Sequence, residues 1–261
     1  MNHLKFYFQI SEKKIAFEFN GSFWHSENSP GYEGNKCLMK SNLCEKISYK
    51  LIHIWEYDWI NPLKQNILKE KIKALLGINQ TKIYARKCTI KEIPSKEKNE
   101  FLNLHHIQGE DGSKIKLGLF YENELVAVMT FGKPRFNKNY EWELIRYATS
   151  KHIIGGAGKL LKYFEKNYNP KSIITYADRS YSQGNMYRKI GFEELYKSEP
   201  NYHWVKDDRV FTRYQCQKSH LRKVLGNKFN KNLSETENML LNKFFKVYDC
   251  GNIVFKKLII N

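Results

Sequence analysis

The stretch Ile153-Ile154-Gly155-Gly156-Ala157-Gly158-Lys159 decides how most of this chain is read. Residues 140–148 before it have the character of a strand, and residues 159–168 after it place apolar side chains at helical spacing. A glycine-rich turn that enters a helix presents backbone N–H groups and the positive end of the helix dipole to an anion such as a pyrophosphate. Gly155, Gly156, Gly158 and Lys159 are therefore candidate cofactor-binding residues. Towards the C-terminus, residues 172–177 read as a strand and 184–190 as a short helix ending at Gly191. Towards the N-terminus, residues 114–121 and 124–130 form a hairpin around Glu122-Asn123, and 96–104 read as a helix. Two further strands, 202–205 and 210–215, are expected to complete this sheet.

The first part of the chain has a different order of elements. Strands are expected over 4–10 and 15–19, the second ended by the turn pair Asn20-Gly21. A loop over 26–35 leads to a helix at 36–46, a buried strand at 49–55 and an amphipathic helix at 63–76 capped by Gly77. At the far end, Ser234 and Glu237 have capping-box spacing for a helix over 234–245. Residues 247–260 then read as two strand-like halves around a turn at 249–252. The expected fold class is α/β (α+β), divided in series into 1–78, 82–225 and a small α/β appendage, 226–261.

Composition bounds the function. The 261 residues hold 44 Lys+Arg against 27 Asp+Glu, a formal net charge of +17. A 41% hydrophobic fraction excludes wholesale disorder, and no apolar run is long enough for a membrane span. The N-terminus lacks the pattern of a secretory signal. Five scattered cysteines argue against a disulfide framework and for a reducing, cytoplasmic location. The charge favours a polyanion, with DNA the first expectation, although an AT-rich coding genome also enriches Lys, Asn and Ile. Lys133, Arg135, Lys138, Arg179, Arg188, Lys189, Lys218, Arg222 and Lys223 interleave with Phe136, Tyr140, Trp142 and Tyr181, which suits a phosphate backbone with stacked or flipped bases; a solvated basic face is the plain alternative.

The run of elements around the glycine-rich turn, ending in Met186-Tyr187-Arg188-Lys189-Ile190-Gly191-Phe192, resembles the GNAT (acyl-CoA N-acyltransferase) fold and implies an acyl-CoA-type donor. A closer resemblance rests on His105-His106-Ile107-Gln108-Gly109, Glu143-Leu144-Ile145-Arg146-Tyr147, Thr175-Tyr176-Ala177-Asp178-Arg179 and Gly184-Asn185-Met186-Tyr187. These are similar to the Mom-type proteins of phages, GNAT-fold enzymes that modify adenine in DNA. The resemblance implies that His106, Glu143, Arg146, Asp178 and Tyr187 are catalytic; Gln108 stands where that family has Ser. Chemically, Asp178 at a strand end is placed to take or hold an amine proton, Arg146 to hold a phosphate or carboxylate, and Tyr187 to donate to a leaving group. The plain alternative is a buried Glu143–Arg146 pair and an Asp178 that caps a turn. No cysteine or carboxylate stands at zinc-ligand spacing from His105 and His106.

The run Ile15-Ala16-Phe17-Glu18-Phe19-Asn20-Gly21-Ser22-Phe23-Trp24-His25, with Lys40 on the following helix and residues 50–59 after it, resembles the very-short-patch-repair-like endonucleases of phages. That resemblance implies a reduced PD-(D/E)xK restriction-endonuclease-like segment, with Glu18 as a Mg²⁺ ligand and His25 and Lys40 as its partners. Two positions depart from the family: Tyr7 stands where it has Asp, and Cys37 where it has His. A phenol does not replace a carboxylate on Mg²⁺. The helix that precedes the first strand in that family is also missing. An ordinary Glu18–Lys40 pair with packed histidines is the alternative.

Three functions stay open. The leading one is a Mom-like GNAT transferase that modifies a nucleobase, flipped out of double-stranded DNA, in the cytoplasm of a phage-infected bacterial host. The second is a Mg²⁺-dependent homing-type endonuclease, and the third a non-catalytic DNA-binding relic. No membrane partner is expected.

Overall fold

The computed structural model describes residues 8–32, 34–78 and 81–259. In chain order its strands are β1 (Phe8–Ile10), β2 (Ile15–Asn20), β3 (Lys50–Trp55), β4 (Lys82–Tyr84), β5 (Thr89–Glu92), β6 (Ile115–Tyr121), β7 (Glu124–Gly132) and β8 (Trp142–Thr149). They continue with β9 (His152–Ile154), β10 (Ser172–Asp178), β11 (Glu193–Lys197), β12 (Tyr202–Lys206), β13 (Arg209–Thr212), β14 (Phe245–Tyr248) and β15 (Asn252–Leu258). The helices are α1 (Lys36–Lys46), α2 (Glu56–Trp59), α3 (Pro62–Leu76), α4 (Ser95–His105), α5 (Gly156–Tyr168), α6 (Asn185–Lys189), α7 (Leu221–Leu225) and α8 (Glu235–Leu241). The class is mixed α/β. No helix among the described residues is long and apolar enough to cross a membrane.

The chain forms two compact units, each drawn from separate stretches: residues 1–65, 178–183 and 198–252 in the first, and 66–177, 184–197 and 253–261 in the second. The sequence expectation divides the chain in series, whereas its contacts group distant segments.

The second unit is built on a seven-stranded sheet of order β11-β15-β10-β8-β7-β6-β5. The β6–β7 hairpin turns through Glu122 and Asn123, both at positive φ, the conformation a two-residue hairpin turn requires. Alternation along β7 and β8 serves two layers. Met129, Phe131 and Leu144 join the core under α5, while Val128 and Ala148 join Phe101 and Leu102 of α4. Helix α5 buries Ala157, Leu160, Leu161 and Phe164, an i, i+3, i+4, i+7 stripe, and the Phe164 ring stacks on Phe131 at 3.6 Å between centroids. Each of the larger side chains, Leu160, Leu161 and Phe164, contributes about 1.5–3 kcal/mol by leaving water.

In the first unit β1 and β2 pair antiparallel and β2 and β3 parallel, with α1 as the crossover and Ile15 opposite Lys50 through Asn20 opposite Trp55. A second, separate sheet has the order β13-β12-β14. This corrects two expectations. Strands β12 and β13 do not complete the large sheet; they pair with β14 over a core of Trp204, Cys216, Leu221, Met239 and Phe244. The 226–261 stretch is no separate appendage, because β15 lies inside the large sheet between β11 and β10. Its run Ile253-Val254-Phe255 is 0–2% exposed, apolar on both faces, and a strand of that kind is stable only with neighbours on both edges. The capping box of α8 is present as the sequence implies, with Glu237 N–H donating to Ser234 Oγ at 3.2 Å and Ser234 N–H to Glu237 Oε2 at 2.7 Å.

Candidate active-site cleft

The glycine-rich turn lies against β8, through Tyr147, in the unit built on the large sheet. β8 and β10 are parallel and pair only at Trp142 with Ile173 and Glu143 with Ile174 among the described residues. Past that point Thr175 Oγ1, rather than backbone, bridges to the Leu144 carbonyl at 2.9 Å. Gly155, at φ +80°, turns the chain from β9 into α5 and brings no side chain to cap the helix. Gly156 must lack a Cβ, because one would come within 2.8 Å of Ile153 Cγ2 and 3.0 Å of Tyr147 Oη. The Ala157 amide donates to Tyr147 Oη, whose phenol burial holds well above its ordinary range.

Beside this turn is an open cleft of about 1290 Å³. That volume exceeds the roughly 300–1,000 Å³ of a site for a compact ligand and suits a long one. Its wall combines apolar side chains, among them Tyr147, Ile153, Leu161, Met186 and Ile190, with six cations: Arg86, Lys151, Lys159, Lys162, Lys189 and Lys257. No Asp or Glu is among the described residues that line it. Some of these cations are already engaged. Lys159 Nζ donates to the backbone carbonyls of Ala85, at 2.9 Å, and Cys88, so it ties down the segment after β4 instead of pointing outward. Lys257 pairs with Glu165 at 2.6 Å and Lys151 with Glu124. Lys162 and Lys189 have no carboxylate partner among the described residues, which leaves them placed to meet a phosphate. Sequence reading named the glycines and Lys159 for a cofactor and Lys189 for a phosphate backbone; it missed Lys162, one turn further along α5.

The expected catalytic residues divide. Glu143, Arg146, Tyr187 and His106 all belong to the second unit, and Asp178 is counted with the first. A bulge explains the first two. Thr130 pairs with Arg146 but Phe131 with Leu144, so Ile145 is an extra residue on β8. Glu143 and Arg146, which an unbroken strand would send to opposite faces, therefore share one face. They do not pair with each other. Glu143, fully buried, accepts Arg135 N–H at 2.7 Å, Nε at 2.9 Å and Nη2 at 2.6 Å. The alternative of a Glu143–Arg146 ion pair is thus corrected: the partner is Arg135, eight residues back on the loop after β7.

Arg146 is nine-tenths buried, its Nη1 donates to Ile145 O at 3.0 Å, and its Nε has no partner. Burial and then the Arg135 charge hold its guanidinium below its usual range. Tyr187 packs on Phe192 and Phe255; burial raises its phenol, while the Thr175 hydroxyl and the Arg146 charge pull the other way. His106 Nδ1 accepts Gln108 N–H at 3.2 Å, which leaves the proton on Nε2. Burial, then Arg146 and Lys71, lower His106 to about 3, so it is neutral at pH 7. Asp178 ends β10, and its Oδ1 accepts Ser180 N–H at 2.9 Å.

In the first unit the structure brings Glu18 and Lys40 together as an ion pair, with Glu18 Oε2 buried and unpartnered. His25 Nδ1 lies 3.3 Å from Cys37 Sγ. Burial, with the Lys40 and Lys36 charges, lowers His25 to about 4, and burial pushes the Cys37 thiol well up. Tyr7 lies outside the described residues, and among the described ones no group of three His, Cys, Asp or Glu is placed to hold a metal ion. One carboxylate already paired to a lysine does not make a Mg²⁺ site.

Neither a family model nor a curated protein matches this chain. Among solved structures, a Bacillus subtilis acetyltransferase in complex with CoA is similar at 14% identity and TM-score 0.36, covering 67% of this chain and 99% of its own. A GNAT family acetyltransferase from Elizabethkingia anophelis with acetyl-CoA bound gives 17% and 0.35, covering 66% and 99%. An IAA acetyltransferase from Bacillus cereus gives 14% and 0.36, again covering 66% and 99%. At such TM-scores these likenesses assign neither fold nor activity to this chain.

Proposed function

We propose that the second unit is a GNAT-type acyltransferase that takes an acyl group from a coenzyme A-type thioester and places it on an amine of a nucleobase in DNA. The observation that carries the donor half is the cation-lined cleft at the glycine-rich turn, where no Asp or Glu is found among the described lining residues. The residues fit such a donor. Gly156 lets Ile153 and Tyr147 pack against the start of α5, and Lys162, Lys189 and that helix start form a phosphate-binding end. Tyr147, Met186 and Ile190 supply an apolar wall for the uncharged arm. Bound there, the thioester offers a carbonyl carbon open to attack by an amine.

The chain's own residues hold and move protons around that step. Tyr187, on the same short helix as Met186 and Lys189, keeps its proton at neutral pH because burial raises its phenol, so it is the donor to the departing thiolate. His106 donates from Nε2 and is not the base. A nucleobase amine is uncharged at pH 7, so no base is needed before attack, and the acylated amine releases its proton to water. The +17 net charge supports DNA as the molecule that carries the acceptor.

The test has two parts. Titration calorimetry with coenzyme A should show binding that the double variant Lys162→Glu/Lys189→Glu abolishes; no binding to the parent protein sinks the donor assignment. Mass spectrometry of nucleosides from cells expressing the protein should find an acylated base that disappears in Tyr187→Phe. Unmodified nucleosides throughout would remove DNA as the acceptor.

A further inference from the structure

The first unit holds a dense and unneutralised run of positive charge. Between Asp208 and Glu235 the sequence has seven Lys or Arg and no acidic residue. All seven are exposed, and none forms an ion pair among the described residues. Other cations of the same unit behave differently: Lys40 pairs with Glu18, Lys64 with Asp58 and Arg179 with Glu45. Glu237, whose carboxylate feels the Lys218 charge, is held by the Ser234 amide in its capping box.

The run is displayed on a rigid base. Cys216 and Leu221, both fully buried, anchor it to the core formed with Trp204, Met239 and Phe244. Arg213 lies over the Tyr202 ring at 5.6 Å and Arg209 over Phe244 at 5.6 Å. Lys218, Arg222, Lys223, Lys228 and Lys231 extend into solvent. Tyr214, 67% exposed, stands among them against His220, whose Nδ1 donates to the Tyr214 carbonyl at 3.1 Å. Seven like charges on about two dozen residues repel one another, and a polyanion with closely spaced charges offsets this cost. An aromatic face among the cations adds a surface on which a base can stack.

We propose that residues 209–231 are the docking surface for the phosphodiester backbone of DNA. The proposal rests on the reading of DNA as the carrier of the acceptor base, and it places backbone binding on residues of the first unit. Contacts of this kind give affinity without base sequence and fall with salt, by about 0.9 in the log–log slope for each phosphate neutralised.

The experiment is fluorescence anisotropy with a labelled DNA duplex across a salt series, on the full chain and on Lys218→Ala/Arg222→Ala/Lys223→Ala. The expected result is a slope lower by about 3 and affinity at physiological salt weaker by about tenfold or more. A triple variant of exposed lysines on the second unit, Lys96→Ala/Lys166→Ala/Lys171→Ala, should leave both unchanged. An unchanged slope in the first variant, an equal loss in the second, or binding to phosphatidylserine vesicles in place of DNA would overturn the assignment. If the first variant melts below the parent, Lys228→Ala/Lys231→Ala carries the same test with a slope lower by about 2. Coenzyme A binding, measured on the parent protein, separates the two readings. No coenzyme A binding with DNA binding present sinks the donor cleft alone, and coenzyme A binding with no DNA binding sinks the docking surface alone.

Discussion

Around Glu18 in the first unit charged side chains cancel one another; along the cleft of the second they do not. Glu18 is met by Lys40, and His25 and His53 are held neutral by burial. Among the described residues, the cleft keeps Lys162 and Lys189 unpaired beside a helix N-terminus and admits no carboxylate to its wall. Both regions carry residue types that chemistry uses. The difference teaches that availability matters more than identity: a charge satisfied inside the fold supports the fold, and a charge left over is an offer to something outside.

The comparison breaks most sharply at Lys40. Replacing it with Met strands the Glu18 carboxylate in the interior, at a cost of about 3 kcal/mol, and Lys40→Met/Glu18→Gln should recover most of it. Urea unfolding of the two variants measures this. Equal stability of Lys40→Met and the parent would mean that Glu18 has another use. In the cleft, Gly156→Val should cost about 1–3 kcal/mol, through contact with Ile153 and Tyr147, and should also weaken coenzyme A binding. Thermal melting with calorimetry separates those two effects.

Lys162→Ala and Lys189→Ala should each weaken coenzyme A about tenfold, or about 1.4 kcal/mol, while leaving the melting temperature within a degree or two of the parent. A melting shift without a binding change would place them with Lys40 as structural charges. The smallest effect is one of pH. His25 and His53 are depressed to about 4 and about 3 in the folded state, against about 6.5 unfolded. The unfolded chain therefore binds more protons below pH 6.5. The stability contributed by these imidazoles is full above that pH and falls by about 1.4 kcal/mol per pH unit for the fully buried His53 as the pH drops towards 4. Urea midpoints at pH 7.5 and 5 should show the loss, and His25→Asn should reduce it.

Much of the local structure was legible. The helix at 36–46, the hairpin at Glu122-Asn123, the capping box at Ser234 and the glycine turn before α5 all follow from neighbours in sequence, because turns, caps and helical stripes are decided within a few residues. The assignment of strands to sheets was not. β12 and β13 left the large sheet and β15 entered it, since a strand's pattern records how deeply it is buried and not which edge it joins. The candidate site was legible to the same depth. The glycines stood out by composition, whereas Lys159 turned out to hold backbone carbonyls and Lys162 to be unpaired, a distinction that depends on segments 70 residues and more away in the chain.

By itself, the sequence determined that the protein is a strongly basic mixed α/β chain with a glycine-rich entry into a helix, because charge and short-range periodicity are properties of the covalent order. Only the tertiary structure decided which charges are spent. A one-residue bulge at Ile145 put Glu143 and Arg146 on one face, and the loop after β7 delivered Arg135 to claim the carboxylate. Pairing is a matter of distance in space, and a side chain's partner is whichever group the fold brings within about 3 Å of it.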